Sequence, residues 1–278
     1  MPGTIGVIRN LCTFLLNEKD ICIGYAPQFS RVVSEVELQK AIYQPYYLEK
    51  EKNYKFNVNA FISFLEKNYN EKTKIIYIDN PNNPTGQIIP IKEIEKILQE
   101  AKKRNIYVLV DEAYGDYMDL SNSSVNLTNK YDNLIVFKSA SKVYGLPADR
   151  VGYVIASQEL IEVYDKVLVP FPFSEDAMNH FIKALDNRFE IRKTLIKIRE
   201  LKEYFLSHIS KNKVLYTSSE TPIFTIYSDK YPNLQKELIK NQLFAESCGL
   251  FNGLNEKYVR IRVSLEKEKI LDIVNKVL

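Results

Sequence analysis

The segment 137–152 contains two lysines, two serines and an arginine between two apolar runs. The run before it, 133–137, and the run after it, 150–156, are rich in β-branched residues and predict buried strands. Lys142 therefore follows the end of a strand. Because ligands of open α/β sheets gather outside the carboxyl ends of strands, this position suits a reactive amine. A solvated turn between two strands has the same pattern.

Asn83, Asp111 and Arg150 also lie at the ends of predicted strands. A lysine can form a Schiff base with an aldehyde, and an aspartate can keep a pyridine nitrogen protonated. An asparagine or a tyrosine can donate a hydrogen bond to a phenolate oxygen. Serine, arginine and the N-terminus of a helix can bind a phosphate. Pyridoxal phosphate requires all of these groups together, and the set of residues therefore predicts this cofactor.

Strands and helices alternate over the first 165 residues, which predicts a parallel sheet covered by helices. We expect strands at 21–25, 41–47, 74–79, 106–110, 133–137 and 150–156, and helices at 7–16, 31–38, 59–67, 91–104 and 158–167. The glycine-containing turn 2–6 opens the first helix, whose N-terminus is a candidate anion site. The segment 80–86, Asn-Pro-Asn-Asn-Pro-Thr-Gly, consists of turn formers and continues neither strand nor helix.

The pattern changes in the last third of the chain. The segment 169–174 breaks regular structure and predicts a boundary, and 176–209 has the pattern of a long, charged helix. We expect strands at 214–217, 222–227 and 258–263, and helices at 233–240 and 267–277. We therefore predict a cofactor-binding large domain at 1–170, a bridging helical segment at 171–210 and a small α+β domain at 211–278.

The composition excludes several classes of protein. The hydrophobic fraction of 45% and the charged fraction of 26% are typical of a globular protein. The net charge of +3 is scattered, so we expect neither a nucleic-acid nor a membrane partner. The 3 cysteines show no paired spacing, which favours a reducing compartment such as the cytoplasm. With 2 histidines we expect no metal site, and from the sequence pattern we expect neither a signal peptide nor a membrane span.

The sequence resembles the fold-type I pyridoxal-phosphate enzymes of the aminotransferase class I and II family, nearest the histidinol-phosphate aminotransferase branch. Three motifs occur in the family's order: 80–86, Asp-Glu-Ala-Tyr at 111–114, and 139–150, which begins Ser-Ala-Ser-Lys. Three ordered motifs are far more specific than one. The resemblance spans nearly the whole chain. It implies a mostly parallel sheet flanked by helices, a smaller C-terminal α+β domain, a homodimer and a role in amino-acid metabolism.

The resemblance also implies roles for individual residues around the cofactor ring. Lys142 would be the aldimine lysine and the proton shuttle, and Asp111 would pair with the pyridinium nitrogen. Asn83 and Tyr114 would hydrogen-bond the ring oxygen. Phe29 matches an aromatic residue that stacks on the ring, although a phenylalanine in the core would show the same pattern. Lys142, Asp111 and Tyr114 are the expected catalytic residues.

The remaining roles concern the phosphate and the substrate. By the same resemblance the phosphate would be held by Gly3, Thr4, Ser139, Ser141 and Arg150. Arg260 would bind the substrate carboxylate, because a guanidinium presents a bidentate fork to a carboxylate. Arg262 lies two residues further, on the same face of the strand, and is the alternative.

The sequence also departs from the family. Relatives carry a substantial segment before the glycine turn, with a tyrosine that reaches the neighbouring subunit's phosphate, whereas this sequence starts at Met1, so we expect a shortened large domain. Pro222 stands where histidinol-phosphate enzymes tend to have an asparagine, and 247–254 is similar to phosphoamino-acid decarboxylases.

Three functions follow as hypotheses. The first is transamination between an amino acid and a keto acid or a phosphorylated carbonyl compound. The second is decarboxylation of a (phospho)amino acid on the same cofactor, because the two reactions differ only in which bond to Cα breaks. The third is a non-catalytic homologue that binds a partner.

Overall fold

The computed structural model describes residues 1–168 and 172–278, so the boundary predicted at 169–174 lies partly outside the described residues. A six-stranded sheet has the order β2-β1-β3-β4-β5-β6, with β1 to β5 parallel and β6 antiparallel to β5. Its strands are β1 (Ile21–Ala26), β2 (Ile42–Tyr47), β3 (Thr73–Asp79), β4 (Tyr107–Glu112), β5 (Leu134–Ser139) and β6 (Gly152–Ala156). The predicted mostly parallel sheet is confirmed.

Helices cover both faces of this sheet, which explains the nearly continuous apolar strands. The helices are α1 (Gly3–Leu15), α2 (Arg31–Leu38), α3 (Val58–Asn68), α4 (Ile91–Lys102), α5 (Gln158–Tyr164), α6 (Glu175–Asp186), α7 (Arg188–His208), α8 (Leu234–Lys240) and α9 (Lys267–Val277). Ile76 and Ile78 of β3 pack into one core with α3 and α4, while Ile75 and Tyr77 pack into a second core with α1 and α2. The alternation of strand side chains thus fills both cores.

A second sheet forms in the C-terminal part, where strands of an α+β unit are predicted, and its strands are antiparallel. It has the order β7-β9-β8, with β7 (Ile223–Tyr227), β8 (Glu246–Ser247) and β9 (Tyr258–Arg262). A third core joins α7, α8 and α9 to this sheet. Cys248, Phe251 and Tyr258 instead pack into the core of the large sheet, so the two sheets share apolar contacts.

Three predicted elements differ from the structure. The segment 214–217 forms only an isolated bridge between Val214 and Ile226, because the amide of Tyr216 turns away and donates to the carbonyl of Asn53. The helix predicted at 176–209 is two helices separated at Asn187, where ψ changes to 50°. The first helix begins at Gly3 rather than Val7, and backbone bonds from Gly3 to Arg150 and from Gly152 to Met1 fix its start.

Candidate active site

A cavity of about 280 Å³ opens at the carboxyl edge of the large sheet. All predicted site residues except Gly3 line it, namely Thr4, Phe29, Asn83, Asp111, Tyr114, Ser139, Ser141, Lys142, Arg150 and Arg260. Asp111 ends β4 and Lys142 follows β5, so parallel strands bring residues that are distant in sequence to the same edge. The structure therefore brings the predicted residues together.

Asp111 forms the buried floor of the cavity. Its Oδ2 accepts a hydrogen bond from the hydroxyl of Tyr77 over 2.9 Å, and its Oδ1 accepts one from the amide of Ala113 over 2.9 Å. Burial raises the pKa of Asp111 to about 7, although both hydrogen bonds and the charge of Lys142 oppose that rise. A cation placed beside this carboxyl would favour its ionised form, because an opposite charge lowers the pKa of a buried acid.

Gly3 and Arg150 form one corner of the site. Gly3 has a φ of +68°, and a Cβ atom added there would lie 2.4 Å from Nη2 of Arg150. Only glycine therefore lets the guanidinium lie against the backbone at the start of α1. Arg150 itself has a φ of 54°, and its Nη1 donates to the carbonyl of Pro147 over 2.9 Å and to the hydroxyl of Ser141 over 3.4 Å.

Ser139, Ser141 and Thr4 add hydroxyl groups to this corner, since all three line the cavity with Arg150. The amide of Ser141 donates to Oγ of Ser139 over 3.1 Å, which fixes the turn after β5. A guanidinium, hydroxyl groups and the first turn of a helix are the donors that bind a phosphate. The corner therefore has the chemistry of a phosphate site.

Lys142 and Tyr114 line the same cavity as Asp111. Nζ of Lys142 is 4.8 Å from the centre of the Tyr114 ring, and this ring is buried. The next residue, Val143, is also buried and holds the lysine turn against Tyr114. The amine of Lys142 thus lies beside a buried aromatic ring, in the same cavity as the buried acid Asp111, and an amine in such a place can act as a nucleophile.

Asp79 is a site residue that the sequence reasoning missed. Its carboxylate ends β3 and accepts hydrogen bonds from the amides of Asn83, over 2.9 Å, and Phe29, over 3.2 Å. It also accepts a hydrogen bond from the hydroxyl of Tyr25 over 2.9 Å. Burial raises the pKa of Asp79, and these hydrogen bonds oppose the rise. The position of Asp79 directly before the turn-forming segment 80–86 is the feature of the sequence that could have identified it as a site residue.

Arg260 lies where it can bind a ligand in the cavity, and Nη1 donates to Oδ1 of Asn83 over 2.5 Å. Its Nη2 pairs with the carboxylate of Glu246, which also lines the cavity. Arg262, the alternative, lines a neighbouring groove on the surface. Glu246 was missed because β8 has only 2 residues and therefore shows no periodicity in the sequence.

This set of groups fits pyridoxal 5'-phosphate. The cavity offers the amine of Lys142 for an aldehyde, the buried carboxyl of Asp111 for a ring nitrogen and the basic corner at Arg150 for a phosphate. The backbone at Gly3 leaves no room for a side chain beside that corner. Among residues 1–168 and 172–278, no three His, Cys, Asp or Glu side chains converge as metal ligands, and no helix has the length and apolar character to cross a bilayer.

Comparison with known proteins points to the same chemistry. The model of the family "Aminotransferase class I and II" matches residues 1–277. The histidinol-phosphate aminotransferase of Francisella philomiragia subsp. philomiragia is 29% identical over 266 residues, covering 93% of this chain and 71% of that protein. The enzyme of the same name from Methanocaldococcus jannaschii is 29% identical over 283 residues, with 99% and 74% covered.

The fold is likewise shared with solved structures. The histidinol-phosphate aminotransferase from Clostridium acetobutylicum superposes with a TM-score of 0.86 at 20% identity, covering 99% of this chain and 82% of that one. At this identity the likeness establishes the fold alone. The family match covers nearly every residue and includes the three motifs that meet in the cavity. This chain therefore belongs to the aminotransferase class I and II family, whose members depend on pyridoxal 5'-phosphate.

Proposed function

We propose that this protein is a pyridoxal-phosphate-dependent aminotransferase that moves an amino group between an amino acid and a keto acid or a phosphorylated carbonyl compound. The observation that carries the proposal is the convergence of Lys142, Asp111 and Arg150 in one cavity. An amine, a buried acid and a phosphate-binding corner are three independent requirements of one cofactor. We assign catalytic roles to Lys142, Asp111 and Tyr114.

When bound, pyridoxal phosphate supplies an aldehyde that holds the amino group and a ring that accepts the electrons released at Cα. Tyr77 and Ala113 hold the carboxylate of Asp111 in place, and in its ionised form this carboxylate would keep a proton on the ring nitrogen. Nζ of Lys142 would move a proton between Cα of the substrate and the aldehyde carbon of the cofactor. Asn83 and Tyr114 would orient the cofactor ring by hydrogen bonds to its oxygen.

The remaining residues bind and position. Arg150 is proposed to hold the phosphate with Gly3, Thr4, Ser139 and Ser141, because a planar guanidinium forms two parallel hydrogen bonds to a phosphate. The backbone amide of Phe29 donates to Asp79, and the side chain of Phe29 is proposed to cover one face of the cofactor ring.

We propose that Arg260 binds the substrate carboxylate. Its place in the cavity beside Asn83 supports this choice over Arg262. Histidinol phosphate is the first amino donor to test, because it gives the two curated relatives their names.

We also propose that the protein is a cytoplasmic homodimer. Cys12, Cys22 and Cys248 are buried free thiols, which suits a reducing compartment. Apolar side chains on α6 and α7 are exposed, with Phe189 at 67% and Ile196 at 61%, and offer a surface for a second copy. Light scattering should give twice the chain mass of 32.4 kDa.

The cofactor-loaded protein should be incubated with histidinol phosphate and a panel of amino acids, with 2-oxoglutarate as acceptor. We expect transfer of the amino group without release of carbon dioxide. Lys142→Ala should abolish this transfer, while Lys96→Ala, which removes an exposed lysine of α4, should leave it unchanged. Release of carbon dioxide would instead identify a decarboxylase. A loaded protein that produces neither product would be the non-catalytic homologue.

A further inference from the structure

Glu246 is a carboxylate in the cavity that the proposed reaction leaves unused. It lies on β8 directly opposite Arg260 of β9, and its carboxylate pairs with Nη2 of that arginine. Nη1 of Arg260 donates to Oδ1 of Asn83. The residue proposed to bind the substrate carboxylate is therefore already paired with a carboxylate of its own chain.

The two side chains of this pair are held differently. The side chain of Arg260 is 19% exposed and is fixed on both sides, whereas that of Glu246 is 52% exposed. Glu246 belongs to a two-residue strand at the edge of its sheet. Because Glu246 is half-exposed, water solvates its carboxylate when it leaves, so the exchange costs little once another carboxylate replaces Glu246 at Arg260.

Arg260 itself has no such freedom. A partly buried guanidinium that loses every counter-charge is destabilised, because solvent replaces little of the lost interaction. An amino acid or a keto acid brings its own carboxylate to Arg260. An amine without a carboxylate at this position would leave the guanidinium unpaired unless the protein supplies the counter-charge.

We propose that Glu246 is a removable cap on Arg260 that selects between two substrate classes. With the cap closed, the cavity accepts amines that carry an uncharged group where an amino acid carries its carboxylate, such as amino alcohols. With the cap open, Arg260 binds the carboxylate of an amino acid or a keto acid. An aminotransferase uses one cavity for its amino donor and its acceptor in turn. The cap therefore lets donor and acceptor differ in the charge of the group that faces Arg260. The inference rests on the proposed function, since it requires Arg260 to face the substrate.

The surface next to the cavity offers a position for the open cap. Glu246, Arg260 and Arg262 line a groove of about 410 Å³ outside the cavity. Arg262 is exposed and lies two residues from Arg260 on the same face of β9. When Glu246 leaves Arg260, a second guanidinium is therefore close to its carboxylate.

The cap is tested by Glu246→Gln, which keeps the size of the side chain and removes its charge. Glu256→Gln is the matched control, because Glu256 is an exposed carboxylate of the same region that bonds Asn233 and Ser247. Glutarate, a dicarboxylate that cannot react, is titrated by calorimetry into the loaded and the cofactor-free forms of each protein. The best amino-acid donor of the panel and its amino alcohol are then compared by kcat/KM.

We expect Glu246→Gln to bind glutarate at least about fivefold more tightly, because Arg260 is no longer occupied. The ratio of kcat/KM for the amino alcohol to that for the amino acid should fall at least about tenfold, since the closed state is lost. Glu256→Gln should change both quantities by less than about twofold.

If Glu246→Gln binds glutarate no more tightly than wild type does, the proposed cap is refuted. It is also refuted if neither protein binds glutarate. A static ion pair between strands would give this result. A protein that loads no cofactor or transfers no amino group refutes the proposed function instead. Glutarate binding to the cofactor-free form still decides the cap in that case.

Discussion

Replacing Asp111 with asparagine should make the cofactor-free protein increasingly stable, relative to wild type, as the pH rises. Burial raises the pKa of Asp111 from the usual 3.8 to about 7, so the folded protein keeps a proton that the unfolded chain has lost. Because the folded pKa is the higher one, the stability from this proton is fully present below about pH 4 and is lost as the pH rises through about 7. About 3 pKa units correspond to about 4 kcal/mol, of which roughly 2 to 3 kcal/mol falls between pH 5 and pH 8.

The assay is urea unfolding of the cofactor-free proteins at pH 5, 6, 7 and 8. The free energy of unfolding of Asp111→Asn, relative to wild type, should rise by roughly 2 to 3 kcal/mol across this range. Asp132→Asn, which removes an exposed carboxyl paired with Lys102, should show no such trend. Asp111→Asn should also bind the cofactor more weakly, because the ring nitrogen of the cofactor loses its anionic partner. A stability difference that does not change with pH would refute the assigned pKa and its cause.

Two further substitutions test the phosphate corner and a buried lysine. Gly3 and Gly145 share a φ of +68°, but only a Cβ at Gly3 would meet Arg150. Gly3→Ala should therefore weaken cofactor binding about tenfold, whereas Gly145→Ala should leave it unchanged. Spectroscopic titration of each variant with the cofactor measures this difference. Burial lowers the pKa of Lys202, whose amine donates to backbone and threonine oxygens of the segment 217–223. Lys202→Met should therefore lower the free energy of unfolding, measured in urea, by about 2–4 kcal/mol, and Lys197→Met, at an exposed lysine, by less than about 0.5 kcal/mol. Equal effects of the two lysine variants, or of the two glycine variants, would contradict these assignments.

The sequence predicted the large sheet and the residues at its edge because both depend on local patterns. Apolar runs mark strands that are buried on both faces, and polar residues that follow them reach the same edge. Asn83, Asp111 and Lys142 could therefore be placed together without coordinates. The antiparallel direction of β6 could not, since strand direction depends on contacts between distant segments.

The residues that escaped prediction are those whose roles depend on contacts over long distances in sequence. Asp79 organises the amides of Phe29 and Asn83, which are 50 and 4 residues away. Glu246 reaches the cavity from an edge strand too short to leave a pattern. Lys202 looked like one more charged residue of a solvated helix, yet it is fully buried among oxygen acceptors. Composition and periodicity do not record such pairings.

The proposed function requires that the amine of Lys142 bonds the aldehyde of the cofactor. Borohydride reduction of the loaded protein, followed by digestion and mass spectrometry, tests this directly because it fixes the cofactor to the lysine that holds it. We predict one reduced cofactor per chain on Lys142 and loss of the visible absorbance band. Lys138, four residues earlier on β5, pairs with Asp116 over 2.7 Å and should remain unlabelled. A label on Lys138 or on any other lysine, or no label at all, would contradict the assignment of Lys142.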